Sequence, residues 1–437
     1  MLPNASSQLW EQGYQSELLP VDKIPWKAYN HVQYFVAVPS PAPEADLVIE
    51  TKQNMLEVVA AAKANNVSVS LSVGGWTGSR YFSFLVGNDK NRTAFAKTLA
   101  RAISKYQLNG LDLDWEYPNF QGMGCNAVQE NDSANFLKFL KVLRAEVGPK
   151  ARLSAAVSMR GFMSSDGKNF LKDVRGFGKV LDFVTIMAYD TYVPGVSTLA
   201  GPNAPLFDTC SELTQKFSVA RAVRHWIRTG IPAHKLVLGF PSYGYGYTLN
   251  KTELEPTVFS GNASKTSLLF QPAVGVAPPA GKTSDTAEGT DLCGNPNVSG
   301  GQWLFRELIE TGKLSANQQK GEGGYERHYD CCTRTVSCLE LCQKFFYVPS
   351  QSNSPGLYLF YFTSQQPFLF NPSTRNLISY DDTESLREKA LFARKHGLAG
   401  LEMFDAIGDT ADSQLMNSVR HAFLSGSKRK FRPASHH

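Results

Sequence analysis

The chain has 437 residues, which is long enough to bury one large core with an insertion or to form two domains. A hydrophobic content of 42% and a charged content of 19% are typical of a soluble globular protein. No apolar run reaches the roughly 18 residues that a membrane span needs, so the sequence excludes an integral membrane protein.

Much of the net charge of +5 lies in a C-terminal run, "SGSKRKFRP". No aromatic platform accompanies this run, so we expect a solvated basic tail at 426–437 and no nucleic-acid partner. The final "SHH" is interpreted as a tag remnant.

Short β-rich runs alternate with helical patterns through most of the chain. The predicted strands, in chain order, are 31–38, 67–75, 108–116, 152–159, 182–190, 235–244 and 398–405. Apolar residues recur with helical periodicity at 51–66, 91–107, 131–148, 210–230 and 383–397. One further strand should precede the others, near 8–16, although that stretch is polar.

The repeated alternation predicts an α/β fold in which helices connect parallel strands. Eight strands over roughly 400 residues suit a (β/α)8 TIM barrel better than an open nucleotide-binding sheet. No Gly-rich phosphate loop opens any helix, which also counts against the open sheet. The rhythm stops between Tyr245 and Tyr380, so we expect the barrel at 1–244 and 381–425 with a small subdomain inserted at 245–380.

Cysteines are concentrated in this inserted region, which holds five of the seven: Cys293, Cys331, Cys332, Cys338 and Cys342. We expect disulfide bonds there rather than a zinc site, because the run lacks paired C-x-x-C spacing and has one nearby imidazole, His328. Cys125 and Cys210 lie elsewhere and either bond each other or stay free.

The N-terminus, "MLPNASSQLW", has neither the basic region nor the apolar stretch of a signal peptide. The protein is therefore either cytosolic or secreted after removal of a leader. The cysteines favour a secreted, disulfide-bonded glycoprotein, and so, more weakly, do seven Asn-x-Ser/Thr sequons, at Asn4, Asn66, Asn91, Asn131, Asn250, Asn262 and Asn297.

The stretch "LNGLDLDWEYP" at 108–118 places Asp112, Asp114 and Glu116 at two-residue spacing. Because side chains alternate along a strand, these acids share one face, and in a barrel they point into the interior. Burying uncompensated carboxylates costs several kcal/mol each. The C-terminal end of a barrel strand is where barrel enzymes place their chemistry, which favours catalysis over a hydrogen-bond network or a three-acid metal cage.

The three carboxyl groups are expected to have different roles. Crowded carboxylates cannot all ionise near neutral pH, so at least one holds or shares a proton. The outermost acid, Glu116, can reach a substrate as an acid of raised pKa, while Asp112 and Asp114 lie deeper and tune it.

These motifs resemble those of glycoside hydrolase family 18 chitinases of the fungal type. "NGLDLDWEYP" is similar to the family's DGxDxDxE signature, "SLSVGGW" to its SxGG and "IMAYD" to its MxYD, and "KLVLGFPSYG" and "GPNAPL" also match. The resemblance covers nearly the whole chain and implies an α+β insertion between barrel strands seven and eight. Several motifs in order on matching strands are far more specific than any one of them.

The resemblance implies chitin or chitooligosaccharides as substrate and a retaining, substrate-assisted mechanism without cofactor or metal. It assigns Glu116 as the acid and base, Asp114 as the partner of the substrate acetamide, and Asp112 as the group that tunes Asp114. Tyr189 would donate a hydrogen bond to the acetamide, and Asp190 would contact the sugar.

Other residues are candidates for the walls of a sugar-binding cleft. Trp76 is expected to stack on a sugar ring, with packing at the barrel rim as the alternative. For Tyr117, Met187 and Tyr243, core packing is nearly as good an explanation as sugar binding. Ser72 is expected to support the acids rather than to react, because no His is placed by motif to activate it.

The sequence also departs from the family pattern. Asn109 replaces the first Asp of the signature, and Tyr245 replaces the family's Arg after "YG". In the last strand Phe404 stands where the family has the Trp that forms the floor of the sugar site, and Glu402 stands where it tends to have Met. Two hypotheses follow: an active secreted chitinase, or an impaired chitinase-like protein that binds and sequesters chitooligosaccharides. A monomer is expected in either case.

Overall fold

The computed structural model describes residues 4–10, 19–208, 216–259, 266–274, 279–281, 290, 293–294, 300–330 and 366–425. These residues fall into two compact units. The first comprises the described parts of Met1–Met187, His225–Ser242 and Thr383–His437, and the second those of Ala188–Arg224 and Tyr243–Asp382.

Eight parallel strands close into a barrel in the first unit, which confirms the predicted TIM barrel. They are β1 Asn4–Trp10, β2 His31–Ala37, β3 Ser68–Gly74, β4 Gly110–Asp114, β5 Arg152–Ser158, β6 Phe183–Met187, β7 Leu236–Pro241 and β15 Gly400–Phe404. They follow one another in this order around the barrel, and β15 pairs with β1 to close it.

The α-helices of the described residues lie between the strands in sequence, except for the last, which follows β15. They are Lys52–Ala64, Gly75–Gly78, Phe82–Val86, Asp89–Tyr106, Asp132–Val147, Arg175–Val180, Val219–Thr229, Phe305–Glu310, Thr383–Lys395 and Gln414–Leu424. The helix Arg175–Val180 was not predicted because two of its six residues are glycines, which have low helix propensity.

Three predicted elements differ from those observed. β1 lies at Asn4–Trp10 rather than 8–16, and its polar sequence gave no apolar run to mark it. The helix expected at 210–230 begins at Val219; residues 216–218 are not helical, and 209–215 lie outside the described residues. The strand expected at 235–244 ends at Pro241, and a separate strand starts at Tyr243.

The apolar face of β4 packs beneath the helices, as the alternation in its sequence predicts. Leu111 and Leu113 are fully buried. The Trp115 ring stacks on Phe82 at a centroid distance of 5.3 Å and meets Phe136 edge-on at 5.4 Å. The opposite face of the strand therefore carries the acids into the barrel.

The second unit contains a five-stranded antiparallel sheet, in agreement with the expected α+β insertion. Its strands, in spatial order, are β11 Gln302–Leu304, β8 Tyr243–Thr248, β14 Asn376–Ser379, β13 Gln366–Asn371 and β12 Glu326–Asp330. A separate two-stranded pair joins β9 Thr257–Val258 to β10 Thr266–Ser267. The domain boundaries expected from the sequence, 1–244 and 381–425 for the barrel and 245–380 for the insertion, remain predictions.

Two cysteines within the described residues, Cys125 and Cys293, are disulfide-bonded, so Cys125 is not a free thiol. Cys210, the cysteines at 331–342, the sequons at Asn262 and Asn297 and the basic tail at 426–437 lie outside the described residues. Within the described part of the chain, no helix is long and apolar enough to cross a membrane.

Candidate active site

β4 and the residues just after it bring three carboxyl groups into the barrel. The exposed fraction rises along the row, from 0% at Asp112 to 3% at Asp114 and 9% at Glu116. The gradient follows from the strand's direction, because each two-residue step moves about 6.5–7 Å toward the C-terminal mouth. Glu116 is therefore the acid nearest to a substrate.

Asp112 is anchored by serines on both neighbouring strands. Ser72 Oγ donates to Asp112 Oδ2 at 3.2 Å, and Ser154 Oγ donates to Oδ1 at 2.6 Å. Gln33 Nε2 donates in turn to Ser154 Oγ at 3.3 Å. Burial raises the pKa of Asp112 to about 6, although the hydrogen bonds from Ser154, Ser72 and Gln33 oppose the shift.

The surroundings of Asp114 favour its protonated form. Burial raises the pKa of Asp114 well above its usual range, and the charges of Glu116, Asp112 and Glu402 raise it further. Its Oδ1 is buried and has no hydrogen-bond partner among the described residues. One carboxyl oxygen in the middle of the row is thus left without a protein partner in the part of the chain that the structure describes.

Glu402 is a fourth carboxyl group of this network, contributed by β15. It is 2% exposed, and its Oε2 accepts a 2.8 Å hydrogen bond from Thr185 Oγ1 on β6. The sequence singled out Glu402 as a departure from the family pattern but gave no sign of Thr185. Periodicity alone does not show which side chains meet across a barrel.

Phe404 lies two residues beyond Glu402, at the end of the same strand. It is half-buried and meets Phe35 of β2 edge-on, with ring centroids 5.8 Å apart and an interplanar angle of 84°. The peptide bonds after Phe35, Glu116 and Phe404 are cis. Phe404 thus packs against an aromatic ring of the barrel and leaves part of its surface open.

The turn after β3 presents an aromatic side chain to solvent. Gly74 and Gly75 adopt φ angles of +117° and +76°, which favour glycine. A Cβ on Gly74 would lie 2.1 Å from the Asp114 carbonyl oxygen, so the turn packs directly against β4. Trp76 follows and is 49% exposed.

Two other predicted wall residues, Tyr117 and Met187, follow β4 and end β6, two strands that β5 separates. Tyr117 is half-buried, and its ring centroid is 6.2 Å from that of Phe120, which is exposed. Met187, the last residue of β6, is half-buried. Neither is sealed in the core, so both stay candidates for substrate contact.

The second unit holds the remaining predicted site residues. Tyr243 and Tyr245 both donate to Asp190 Oδ1, at 2.6 Å and 2.9 Å. The Tyr189 ring meets Tyr243 edge-on at 6.1 Å. Burial, followed by the charge of Asp190, raises the pKa of Tyr243 and of Tyr245, so both hydroxyls remain donors at neutral pH.

Asn203, from the "GPNAPL" motif, forms hydrogen bonds with the backbone of both Asp190 and Tyr243. Its Oδ1 accepts from the Asp190 backbone N–H at 2.9 Å, and its Nδ2 donates to the Tyr243 carbonyl at 3.0 Å. Tyr245, which the sequence marked only as a missing Arg, proves to be a hydrogen-bond donor to Asp190. The phenol group of Tyr245 thus stands at the sequence position where the family pattern has the guanidinium group of an Arg.

The first unit holds the acids and Trp76, Tyr117, Met187 and Phe404, and the second holds Tyr189, Asp190 and Tyr243. Sequence reasoning missed Ser154, Gln33, Thr185 and Asn203. The serines on both sides of Asp112 could be found from strand register, because Ser72 and Ser154 are the residues paired with it. Within the described residues, no group of three His, Cys, Asp or Glu side chains could hold a metal ion.

Comparison with known proteins gives a consistent result. The sequence profile described as glycosyl hydrolases family 18 matches residues 9–409. A chitinase-like effector of Moniliophthora roreri is 35% identical over 95% of this chain and 92% of that protein. One from Moniliophthora perniciosa is 33% identical over 95% and 87%, respectively. A crystal structure of a chitinase from Rhizomucor miehei superposes with a TM-score of 0.76 and 28% identity, covering 96% of this chain and 99% of that one.

Proposed function

Because the chain belongs to glycosyl hydrolases family 18, we propose that it hydrolyses β-1,4 N-acetylglucosamine linkages in chitin and chitooligosaccharides. The observation that carries this proposal is the complete row of Asp112, Asp114 and Glu116, which is buried in the barrel and becomes more exposed toward Glu116. A stabilising role alone would not explain such a row, because the buried charges are unfavourable. The likeness to the Rhizomucor miehei chitinase and to the chitinase-like effectors supports the substrate class.

In the proposed mechanism Glu116 donates its proton to the glycosidic oxygen while the substrate's acetamide oxygen attacks the anomeric carbon. An oxazolinium ion forms, and the Glu116 carboxylate then takes a proton from the water that opens it. Asp114 accepts a hydrogen bond from the acetamide N–H, for which the unpartnered Oδ1 is the suitable atom. The configuration at the anomeric carbon is retained.

The remaining residues would bind the sugar. Trp76, with half of its surface exposed, and Phe404 offer aromatic faces for stacking. Tyr117 and Met187 would add apolar walls. In the second unit, Tyr189, Asp190 and Tyr243 stay predicted substrate contacts on the strength of their motifs. The disulfide-bonded state of Cys125 and Cys293 supports an extracellular place of action.

A second candidate function is favoured by two observations on β15. Glu402 adds a buried negative charge that helps to keep Asp114 protonated, and Phe404 offers less stacking area than a Trp. Both changes oppose turnover more than binding, because they act on charge development and on the fit of one sugar. The alternative is a protein that binds chitooligosaccharides and sequesters them with little cleavage.

A paired assay on chitohexaose separates the two functions. Binding is followed by calorimetry and cleavage by product analysis, for the wild type and for Glu116→Gln, which keeps the shape of the acid but cannot supply its proton. Hydrolysis that the substitution lowers by about 10²–10⁴-fold, with binding retained, supports the enzyme. Tight binding with equal, negligible cleavage in both proteins supports sequestration.

A further inference from the structure

Two buried polar side chains hold the backbone of Glu116 from opposite sides. Ser79 Oγ accepts a hydrogen bond from the Glu116 N–H at 2.9 Å. Asn126 Nδ2 donates to the Glu116 carbonyl at 3.0 Å. Ser79 is fully buried and Asn126 is 6% exposed. Both contacts act on the peptide groups that set the direction of the Glu116 side chain.

The same two side chains also reach the turn that carries Trp76. Ser79 Oγ donates to the Gly75 carbonyl at 2.8 Å, and Asn126 Nδ2 lies 3.5 Å from the Trp76 carbonyl, which is a long hydrogen bond. Each side chain therefore touches both Glu116 and the peptide groups next to Trp76. We call this pair, Ser79 and Asn126, the backbone clamp.

The loop that carries Asn126 is shaped to approach Glu116. A Cβ on Gly122 would lie 2.2 Å from the Glu116 carbonyl oxygen, so only glycine allows this approach. Asn126 N–H donates to the Met123 carbonyl at 3.0 Å, and the preceding residue, Cys125, is disulfide-bonded. The loop is thus fixed both by its own turn and by a covalent bond one residue before the clamp.

The Asn126 amide is oriented in only one way. Its Nδ2 faces two carbonyl oxygens, so exchanging the amide nitrogen and oxygen would set oxygen against oxygen. Its Oδ1 is buried and has no hydrogen-bond partner among the described residues. A buried amide with one unpaired atom is destabilising, so a contribution to stability does not explain why Asn126 occupies this position.

We propose that Ser79 and Asn126 are positioning residues that fix the acid Glu116 and the aromatic Trp76 relative to each other, so that both engage one chitooligosaccharide. The inference rests on the proposed function, in which Glu116 is the proton donor and Trp76 a stacking platform. A displacement of about 1 Å at a reacting group can lower the rate by about 100-fold, so a backbone clamp is sufficient to matter.

The test is a double-mutant cycle on chitohexaose binding, measured by calorimetry. Trp76→Ala should weaken binding about tenfold in the wild-type background and less than about threefold in Asn126→Asp or in Ser79→Ala. In these variants Trp76 no longer has its position for stacking on the sugar, so its removal weakens binding little further. In the same variants kcat should fall by about 10–100-fold, with a smaller change in KM.

Matched controls come from the same segments. Asn119 is a buried asparagine whose Nδ2 donates to the Gln129 and Glu130 carbonyls, and Ser83 is a buried serine bound to Asp132. Asn119→Asp and Ser83→Ala should lower thermal stability but leave the full tenfold effect of Trp76→Ala.

The proposal would be overturned if Trp76→Ala weakened binding about tenfold in both clamp variants, or if neither variant folded. Either result would show that Ser79 and Asn126 have a structural role only. If the wild type binds but does not cleave, the hydrolase proposal fails while the binding cycle still decides on the clamp.

Discussion

At the scale of single residues, the protonation of Asp114 is the feature that separates the two candidate functions. Three carboxylates raise its pKa in addition to burial, and one of them, Glu402, comes from a strand on which the family pattern has an apolar residue. Ionised Asp114 would stabilise the positive charge that develops on the substrate, so a proton held there opposes turnover. We therefore expect Glu402 to lower kcat by favouring the protonated form of Asp114.

Glu402→Gln should remove this effect on Asp114 and raise kcat. The substitution removes the charge but leaves an amide oxygen to accept from Thr185 Oγ1, so the packing of the barrel is preserved. The pKa of Asp114 should fall, and a decrease of one unit gives about tenfold more ionised Asp114 at neutral pH. We expect kcat on chitohexaose at pH 7 to rise severalfold and the pH–rate profile to move to lower pH.

The control for this change is Thr185→Val, which removes the hydrogen bond but keeps the charge and should not raise kcat. Carbon-13 titration of the Asp114 carboxyl group provides a readout that does not need turnover. An unchanged Asp114 titration in Glu402→Gln would show that Glu402 does not couple to the acid row.

Phe404 is the second residue on β15 that bears on turnover. It packs edge-on against Phe35 and is only half-buried, so a larger ring can be accommodated toward the open side. Phe404→Trp, combined with Glu402→Met, should raise kcat/KM on chitohexaose more than either change alone. Equal or lower kcat/KM in the double variant, measured with folded protein, would contradict the role assigned to β15.

At the scale of elements, the site depends on how closely the turn after β3 approaches β4. Gly74 has a φ of +117°, and an added Cβ would lie 2.1 Å from a backbone oxygen of β4. Backbone cannot move aside as a flexible side chain can. The junction of these two strands is therefore a point where a single methyl group should disturb both the fold and the acid row.

Gly74→Ala should lower the free energy of unfolding by about 3 kcal/mol or more. Gly167→Ala is the matched control, because Gly167 also has a positive φ, +62°, but its added Cβ would meet nothing within 4 Å. The control should lose only about 1–2 kcal/mol, the usual penalty for a left-handed conformation. Urea denaturation measures both, and equal losses would show that the contact with β4 is relaxed.

The elements also show what could be predicted from the sequence. The alternation of acids with Leu111, Leu113 and Trp115 identifies both the strand and its inward face, because one pattern encodes both. The same logic fails for β1, NASSQLW, which has no alternation of apolar and polar residues and whose place is set by backbone pairing with β2 and β15. It also fails for the contact between Thr185 and Glu402, which are 217 positions apart and lie on the two strands that flank β7.

At the scale of the whole molecule, the barrel interior contains buried titratable groups that respond to pH in opposite directions. Burial, together with the charge of Arg152, lowers the pKa of His31 from 6.5 to about 3. Its Nδ1 lies 2.8 Å from Arg152 Nη1 and 2.8 Å from Ser68 Oγ. Burial raises the pKa of Asp112 from 3.8 to about 6. The neutral form is favoured in both cases.

The two shifts predict opposite pH dependences of stability. A lowered His pKa contributes stability above about pH 6.5 that is lost as the pH falls toward 3, whereas a raised Asp pKa contributes stability below about pH 4 that is lost as the pH rises through 6. Relative to His31→Asn, the wild type should lose about 3 kcal/mol between pH 7 and pH 4. Relative to Asp112→Asn, it should lose a similar amount between pH 4 and pH 7.

Chemical denaturation at these pH values checks both slopes, and the two variants act as controls for each other because the remaining titrating groups are shared. Slopes of the same sign in the two comparisons would mean that at least one of these groups is ionised inside the folded barrel.

The central claim is that the acid row forms a working, substrate-assisted glycosidase site, and the most direct test is the configuration of the first product. Proton NMR of chitohexaose during the first minutes of cleavage distinguishes the β-anomer from the α-anomer before they interconvert. We predict the β-anomer from the wild type and no product above background from Glu116→Gln. Formation of the α-anomer, or equal product from both proteins, would contradict the claim.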